Sequence, residues 1–212
     1  GGASAETNAH EIALRIGYTP EQLASIPPAA NFGYGCGNPV LLAKLVPGEV
    51  VLDLGSGSGI DVLLAARAVG RQGRATGIDM TPQMLRQANA AAGESGFDAA
   101  EFHEATIEAL PCEDASIDVV LSNGVLNLSP ERERALREAH RVLRPDGRLV
   151  LSDLAIEGEL DPFGDDAVAG DGVLTRRQHE VVVEDAGQLT CRVAVVVPCT
   201  EVAAIFVPAP QR

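Results

Sequence analysis

Short apolar runs, separated by stretches with helical spacing, organise most of this 212-residue chain. Val50-Val51-Leu52 reads as the heart of a buried strand over residues 49–54, and Leu63-Leu64-Ala65-Ala66 starts a helical run that ends near Val69. The alternation then repeats. Residues 73–79 read as a second strand, and Thr81-Pro82 opens a helix to about Gly93 with Thr81 as its cap. Residues 99–104 read as a third strand, and the β-branched run over 117–122 as a fourth. Ser129-Pro130-Glu131 opens a charged helix whose Leu136, Ala139, Val142 and Leu143 share one apolar face. Arg144-Pro145-Asp146-Gly147 stops that helix and turns the chain into a fifth strand over 148–154.

Both ends depart from this rhythm. Near the start, residues 6–17 and a segment capped by Thr19-Pro20 read as helices. A proline- and glycine-rich loop over 27–39 follows, and Asn38-Pro39 opens a further helix to about Leu45. Toward the end, a Gly/Asp-rich stretch over 161–172 and a helix to about Gly187 precede two β runs, 191–198 and 201–208. The two are too close for a helical crossover, so they are expected to pair as an antiparallel hairpin. Strand–helix alternation elsewhere implies an α/β fold with a parallel sheet and right-handed crossovers. The expected division is an N-terminal part, 1–46, with helices and a loop covering the site, and one compact unit over 47–212.

Charge narrows the partners. Thirty acidic against sixteen basic residues give a net charge of −14, a field that repels phosphate backbones and argues against nucleic acid. Aromatic residues are only 3%, too few for a base-stacking platform. No run approaches the ~20 apolar residues of a membrane span, and the first residues lack the basic start and apolar core of a signal peptide. Cys36, Cys112, Cys191 and Cys199 are scattered, with no C-x-x-C pair and no histidine at zinc-ligand spacing. No metal site and no membrane partner are therefore expected, and a reduced, cytoplasmic setting is.

The candidate chemistry gathers where the first strand ends. Asp53 is followed by glycines at alternate positions, Gly55, Gly57 and Gly59, and then by a helix start. Such a turn admits a nucleotide-like ligand close to the backbone. The dinucleotide fingerprint needs its third glycine one residue later, where Ile60 stands. Asp53 would repel a pyrophosphate and suits a ligand with a cationic amino-acid end. That favours S-adenosylmethionine over NAD. Asp79, closing the second strand, is placed to accept both ribose hydroxyls of an adenosine moiety, the cap of the next helix being assigned to Thr81. Residues 105–108, with Thr106 and Ile107, lie where adenine would rest. Residues 122–127 would line the methyl-donor end, with Asn123 the favoured contact. Cys36, flanked by Gly35 and Gly37, is a candidate to face a ligand. His103, Asp153 and Asp171 are the side chains available for proton transfer.

Tyr34-Gly35-Cys36-Gly37-Asn38-Pro39, the run from Asp53 through Gly55-Ser56-Gly57 to Gly59, Gly77-Ile78-Asp79-Met80-Thr81, and Ser122 through Pro130 together resemble the arsenite S-adenosylmethionine methyltransferases. The resemblance runs from about Gly17 to Gly187. It implies a Rossmann-like class I methyltransferase fold, with a mostly parallel seven-stranded sheet, a terminal antiparallel strand and helices on both faces. It also implies S-adenosylmethionine held by Tyr34, Asp53, Gly55, Ser56, Gly57, Gly59, Asp79, Met80, Thr106, Ile107 and Asn123, with Cys36 and Asn123 at the reacting end.

The family binds trivalent arsenic through three thiolates, as soft ligands suit a soft centre. Cys36 matches the first. The second position holds Gly124, and Ala169-Gly170-Asp171, before Gly172-Val173-Leu174-Thr175, offers no thiol for the third. One thiolate lacks the chelate effect of three. The resemblance therefore implies methyl transfer to a small acceptor, arsenical or organic, with an altered acceptor site. A non-catalytic S-adenosylmethionine-binding protein of the same fold is the alternative, and an NAD dehydrogenase is opposed by Asp53 and Ile60. Oligomeric state is left open.

Overall fold

The computed structural model describes residues 2–156, 182–185 and 190–198. Helices α1 (Gly2–Arg15), α2 (Pro20–Ala24) and α3 (Pro39–Ala43) precede the first strand, β1 (Val50–Leu54). Helix α4 (Ile60–Val69), β2 (Arg74–Asp79), α5 (Pro82–Ser95), β3 (Ala100–Glu104), β4 (Ile117–Asn123), α6 (Arg132–Val142) and β5 (Leu143–Ile156) follow. Two further strands, β6 (Val182–Asp185) and β7 (Thr190–Pro198), complete a seven-stranded sheet of order β3-β2-β1-β4-β5-β7-β6. Strands β1 to β5 are parallel, and β7 lies antiparallel between β5 and β6.

Successive residues of the central strands feed two cores, as the pleat requires. Val51, Val119, Leu121 and Val150 join α4 and the N-terminal helices on one face. Leu52, Leu54, Val120, Leu149 and Leu151 join Ala135, Leu136, Ala139 and Val142 of α6 on the other. Burial on both faces is why these strands read as continuous apolar runs and not as alternating ones. The N-terminal segment belongs to the first core: Ala13, Ile16, Tyr18, Leu23, Ile26 and Ala30 are buried there. Beneath it, Arg148 of β5 donates to both carboxylate oxygens of Glu49 and to the carbonyl of Ala43, tying the end of α3 to the sheet.

The helix starts are local chemistry. Thr19 and Gln22 form a reciprocal capping box at α2, and Asn38 Oδ1 caps α3 by accepting from Leu41 N–H at 3.0 Å. Thr81 does not behave as expected. Its side chain makes no capping bond, and its backbone N–H instead donates to Asp79 Oδ1 at 2.8 Å, the local turn an aspartate makes with the amide two residues on.

Three other expectations need correcting. The helix expected to reach Gly187 gives way to β6, because Val181-Val182-Val183 is a β-branched run whose χ1 freedom a helix would restrict. The hairpin pairs β6 with β7, so the antiparallel strand is inserted beside β5, and the expected partner run 201–208 lies outside the described residues. Residues 144–147 bulge out of β5 and do not precede it: Ile117 pairs with Leu143 and Val119 with Arg148. Gly147 makes this bulge possible, since a Cβ there would sit 2.8 Å from the Asp118 carbonyl oxygen. Among the described residues, no helix is long and apolar enough to cross a membrane.

Candidate functional site

Strand order reverses between β1 and β4, and the carboxyl ends of these two strands open the crevice where open α/β sheets take their ligands. The glycine turn fills it. Gly55, Gly57 and Gly59 have φ of 67°, 53° and 97°, a region L side chains rarely enter, yet the three glycines do different work. A Cβ on Gly55 would lie 2.4 Å from Val125 Cγ2, and one on Gly59 would lie 2.8 Å from Phe102 Cζ. A Cβ on Gly57 would meet nothing within 4 Å. Gly55 and Gly59 are glycines for packing. Gly57 faces open space.

Around it lies a recess of about 60 Å³ lined by Tyr34, Asp53, Gly57, Ser58, Asp61 and Asn123, among others. Phe32, Tyr34 and Gly35, from the loop before α3, form its side opposite the turn. Tyr34, 70% exposed, and Phe32 meet edge to face on the outer side.

Asp53 is buried, and its Oδ1 has no hydrogen-bond partner. Burial, followed by the charges of Asp61 and Asp79, pushes its carboxyl well above the usual range. An ionised carboxylate in this position calls for a cation. Ser56 Oγ is likewise buried and unpartnered. Asp79 holds the turn from the next strand, its Oδ2 accepting from Gly57 N–H at 2.9 Å.

Asn123, at the end of β4, is the hub of the other side. Its Oδ1 accepts from Cys36 N–H at 2.7 Å and Gly37 N–H at 3.3 Å. Its Nδ2 donates toward Tyr18 Oη, the Gly37 carbonyl and Asp61 Oδ2, each at 3.0 Å. Expected as a contact near the methyl donor, Asn123 lines the recess and divides its hydrogen bonds between the loop over 32–37 and the Tyr18–Asp61 pair. Cys36 is 9% exposed, and its Sγ lies 3.1 Å from where a Cβ on Gly124 would stand.

The adenine side is divided. Met80, 71% exposed, and Thr106 are on the surface. Ile107, expected with Thr106 where adenine would rest, is buried in the second core. Of the proton-transfer candidates, His103 is exposed beside Glu101, Asp153 accepts from Asn127 N–H and Nδ2, and Asp171 lies outside the described residues. Tyr18, Ser58 and Asp61 were missed by sequence reasoning. Ser58 Oγ donates to the Ala30 carbonyl at 2.7 Å. Asp61 offered a signal, an acid in the first turn of an otherwise apolar helix.

Residues 45–184 match the family described as a methyltransferase domain. This chain belongs to that methyltransferase family. An arsenite methyltransferase of Halobacterium salinarum is 42% identical to it over 166 residues, 78% of this chain and 42% of that protein. One from Aquipseudomonas alcaligenes is 43% identical over 134 residues, 60% of this chain and 38% of that protein. The chain thus spans about two fifths of the curated relatives it matches. Among solved structures, an arsenic(III) S-adenosylmethionine methyltransferase of Chlamydomonas reinhardtii superimposes with a TM-score of 0.60 at 29% identity, covering 95% of this chain and 75% of that one. The methyltransferase fold inferred from the resemblance holds.

Proposed function

We propose that this methyltransferase-family chain binds S-adenosylmethionine at the turn after β1 and transfers its methyl group to a small acceptor, through an acceptor site that differs from that of the arsenite enzymes. The observation that carries the first part is the buried, unpartnered Asp53 Oδ1 beside the open face of Gly57. A carboxylate there fits the cationic amino end of this donor and opposes a pyrophosphate. Asp79 would accept the ribose hydroxyls by exchanging one of its local amide contacts, Met80 would cover the adenine, and Tyr34 would close over the donor. When bound, S-adenosylmethionine supplies a methyl already made electrophilic by its sulfonium. The chain's own task is then alignment and exclusion of water by the segment over 32–37.

The acceptor side rests on Cys36 and Gly124. A soft lone pair needs no general base, which agrees with the outward position of His103 and the engagement of Asp153 by Asn127. Gly124 stands where the resemblance puts a second thiolate, so arsenic would find one protein sulfur here in place of a chelate.

Calorimetry with S-adenosylmethionine tests the donor site, and saturable binding is expected. Methyl-transfer assays on arsenite with excess dithiol, and on a panel of small thiols and other metabolites, test the acceptor. Turnover of arsenite that survives Cys36→Ser would discard any role for that thiol, and donor binding without turnover on any acceptor would favour the non-catalytic alternative.

A gain-of-function variant tests the local geometry. In Gly124→Cys the new Cβ would be adjacent to Cys36 Sγ, placing two sulfurs within reach of one arsenic. Under reducing conditions, affinity for a trivalent arylarsenical is expected to rise about tenfold or more through the second bond. The φ of 76° at this position should cost about 1–2 kcal/mol, read as a melting temperature lower by a few degrees. Unchanged arsenical affinity in a folded variant would remove the thiol pairing from the account.

A further inference from the structure

Four segments meet at one buried point between the glycine turn and the loop that covers it. Tyr18, between α1 and α2, donates its hydroxyl proton to Asp61 Oδ1 at 2.8 Å. Asp61, in the first turn of α4, also accepts from Asn123 Nδ2 through Oδ2. Asn123 then receives the backbone N–H groups of Cys36 and Gly37. Tyr18 and Asp61 are 2% and 3% exposed, so water does not substitute for these bonds. Neither Tyr18 nor Asp61 has a part in the donor and acceptor roles above.

The orientation of Asn123 is set from two sides: the Cys36 and Gly37 N–H groups only donate, and the Gly37 carbonyl and Asp61 accept from its NH2. An amide such as Asn123 works equally well in either of two flipped orientations, and a tyrosine hydroxyl either donates or accepts. An ionised carboxylate only accepts. With Asp61 ionised, Asn123 must turn its NH2 inward, which leaves its carbonyl oxygen facing the Cys36 and Gly37 amides.

We propose that Asp61, with Tyr18, is a positioning residue that fixes the orientation of Asn123 and thereby latches the Cys36–Gly37 backbone over the ligand site. The inference rests on the reading of residues 34–37 as the cover of the donor site. The latch itself is a property of the unliganded chain.

Charge links the latch to acidity. Burial raises the Asp61 carboxyl to about 6, with the bonds from Asn123 and Tyr18 opposing the rise. Tyr18 stays neutral throughout, held well above its ordinary value by burial and by Asp61. Asp53, with Asp79 behind it, is the other ionisable neighbour; it feels the Asp61 charge and titrates together with it. Protonating Asp61 converts one of its oxygens into a donor, and the inner of the two sides that hold Asn123 is weakened.

Hydrogen exchange read by mass spectrometry on the full 212-residue chain without ligand tests this. Peptides spanning residues 33–38 are compared with core peptides from β1 and β4. In Asp61→Asn the new amide either turns its NH2 against that of Asn123 or turns it to Tyr18 and leaves the buried Tyr18 hydroxyl proton without its acceptor, so protection of the loop amides is expected to fall about tenfold while the core strands keep theirs. After correction for intrinsic exchange, loop protection in the unmodified chain should decline between pH 7 and pH 5. It should be flat in Asp61→Asn and still decline in Asp53→Asn, which separates the two carboxylates. Tyr18→Phe, which keeps the ring in the core, should give a smaller loss and serves if Asp61→Asn does not fold. Equal loop protection in the unmodified chain and both variants overturns the proposal. So does a pH dependence that vanishes with Asp53 in place of Asp61. These readouts need no S-adenosylmethionine, so failure of the donor-site reading would appear separately, in calorimetry.

Discussion

Replacing Asp53 with Asn is expected to weaken S-adenosylmethionine binding about 100-fold while leaving the unliganded protein at least as stable as before. The two effects have one cause. Asp53 is buried with an oxygen that bonds to nothing, and neighbouring Asp61 and Asp79 carry the same charge. Without a ligand, ionising it is unfavourable; beside a cationic amino group the same carboxylate becomes a desolvated, charge-assisted acceptor worth about 1.5–3 kcal/mol. An amide at this position keeps the shape and loses the charge.

The pH dependence follows in sign. A carboxyl whose pKa is raised by folding favours the native state while it is protonated, and that contribution is lost as pH rises from its unfolded value to its folded one. For Asp61 the window runs from about 4 to about 6, and Asp53 is displaced in the same direction. The unliganded protein should therefore melt a few degrees higher near pH 5 than near pH 7, less so in Asp53→Asn. Thermal denaturation across this range and calorimetry with the donor check both statements. An Asp53→Asn variant that binds the donor normally would discard the charge-pairing account.

Gly55→Ala and Gly57→Ala should separate folding from binding within one turn. At Gly55 the added methyl would meet Val125 Cβ at 2.6 Å as well as its Cγ atoms. Rotation of that side chain clears the Cγ atoms and leaves the Cβ where it is. Overpacking of about 1–3 kcal/mol and left-handed strain of about 1–2 kcal/mol combine, so the melting temperature should fall by about 10 °C. At Gly57 the methyl meets nothing, and only the strain remains. Gly57→Ala should keep the fold within a few degrees and still lose at least tenfold in donor affinity, because the methyl projects into the recess and disturbs the amide that Asp79 accepts. Equal melting temperatures for the two variants would contradict this division.

Much of this was legible in the chain. The central strands are buried on both faces, so their apolar runs stood out, and Thr19, Asn38 and the prolines after them marked helix starts that the structure keeps. The glycine turn announced a ligand loop but not the division of labour inside it, since Val125 and Phe102, which make Gly55 and Gly59 obligatory, come from distant segments. Long range also hid the relay: Tyr18, Asp61 and Asn123 are 43 to 105 residues apart, and no local spacing advertises a hydrogen bond between them. Thr81 misled because a threonine before proline is a good cap by composition, whereas here its side chain makes no capping bond and its own N–H goes to the acid two residues earlier. The β6 region failed through period: a short valine run was absorbed into a neighbouring helical pattern.

The match that defines the family begins at residue 45, but the working unit of the molecule does not. Ala13, Ile16, Tyr18, Leu23, Ile26 and Ala30 complete the core on one face of the sheet, Ala30 receives Ser58 from the glycine turn, and Tyr18 anchors Asp61. A chain trimmed to the matching residues would keep β1 to β5 and lose β7, the strand through which β6 joins the sheet. It would also bare the apolar face of α4, and the turn would stand without its lid or its brace. For anyone choosing where to cut this protein for expression, the first forty-odd residues count as part of the domain.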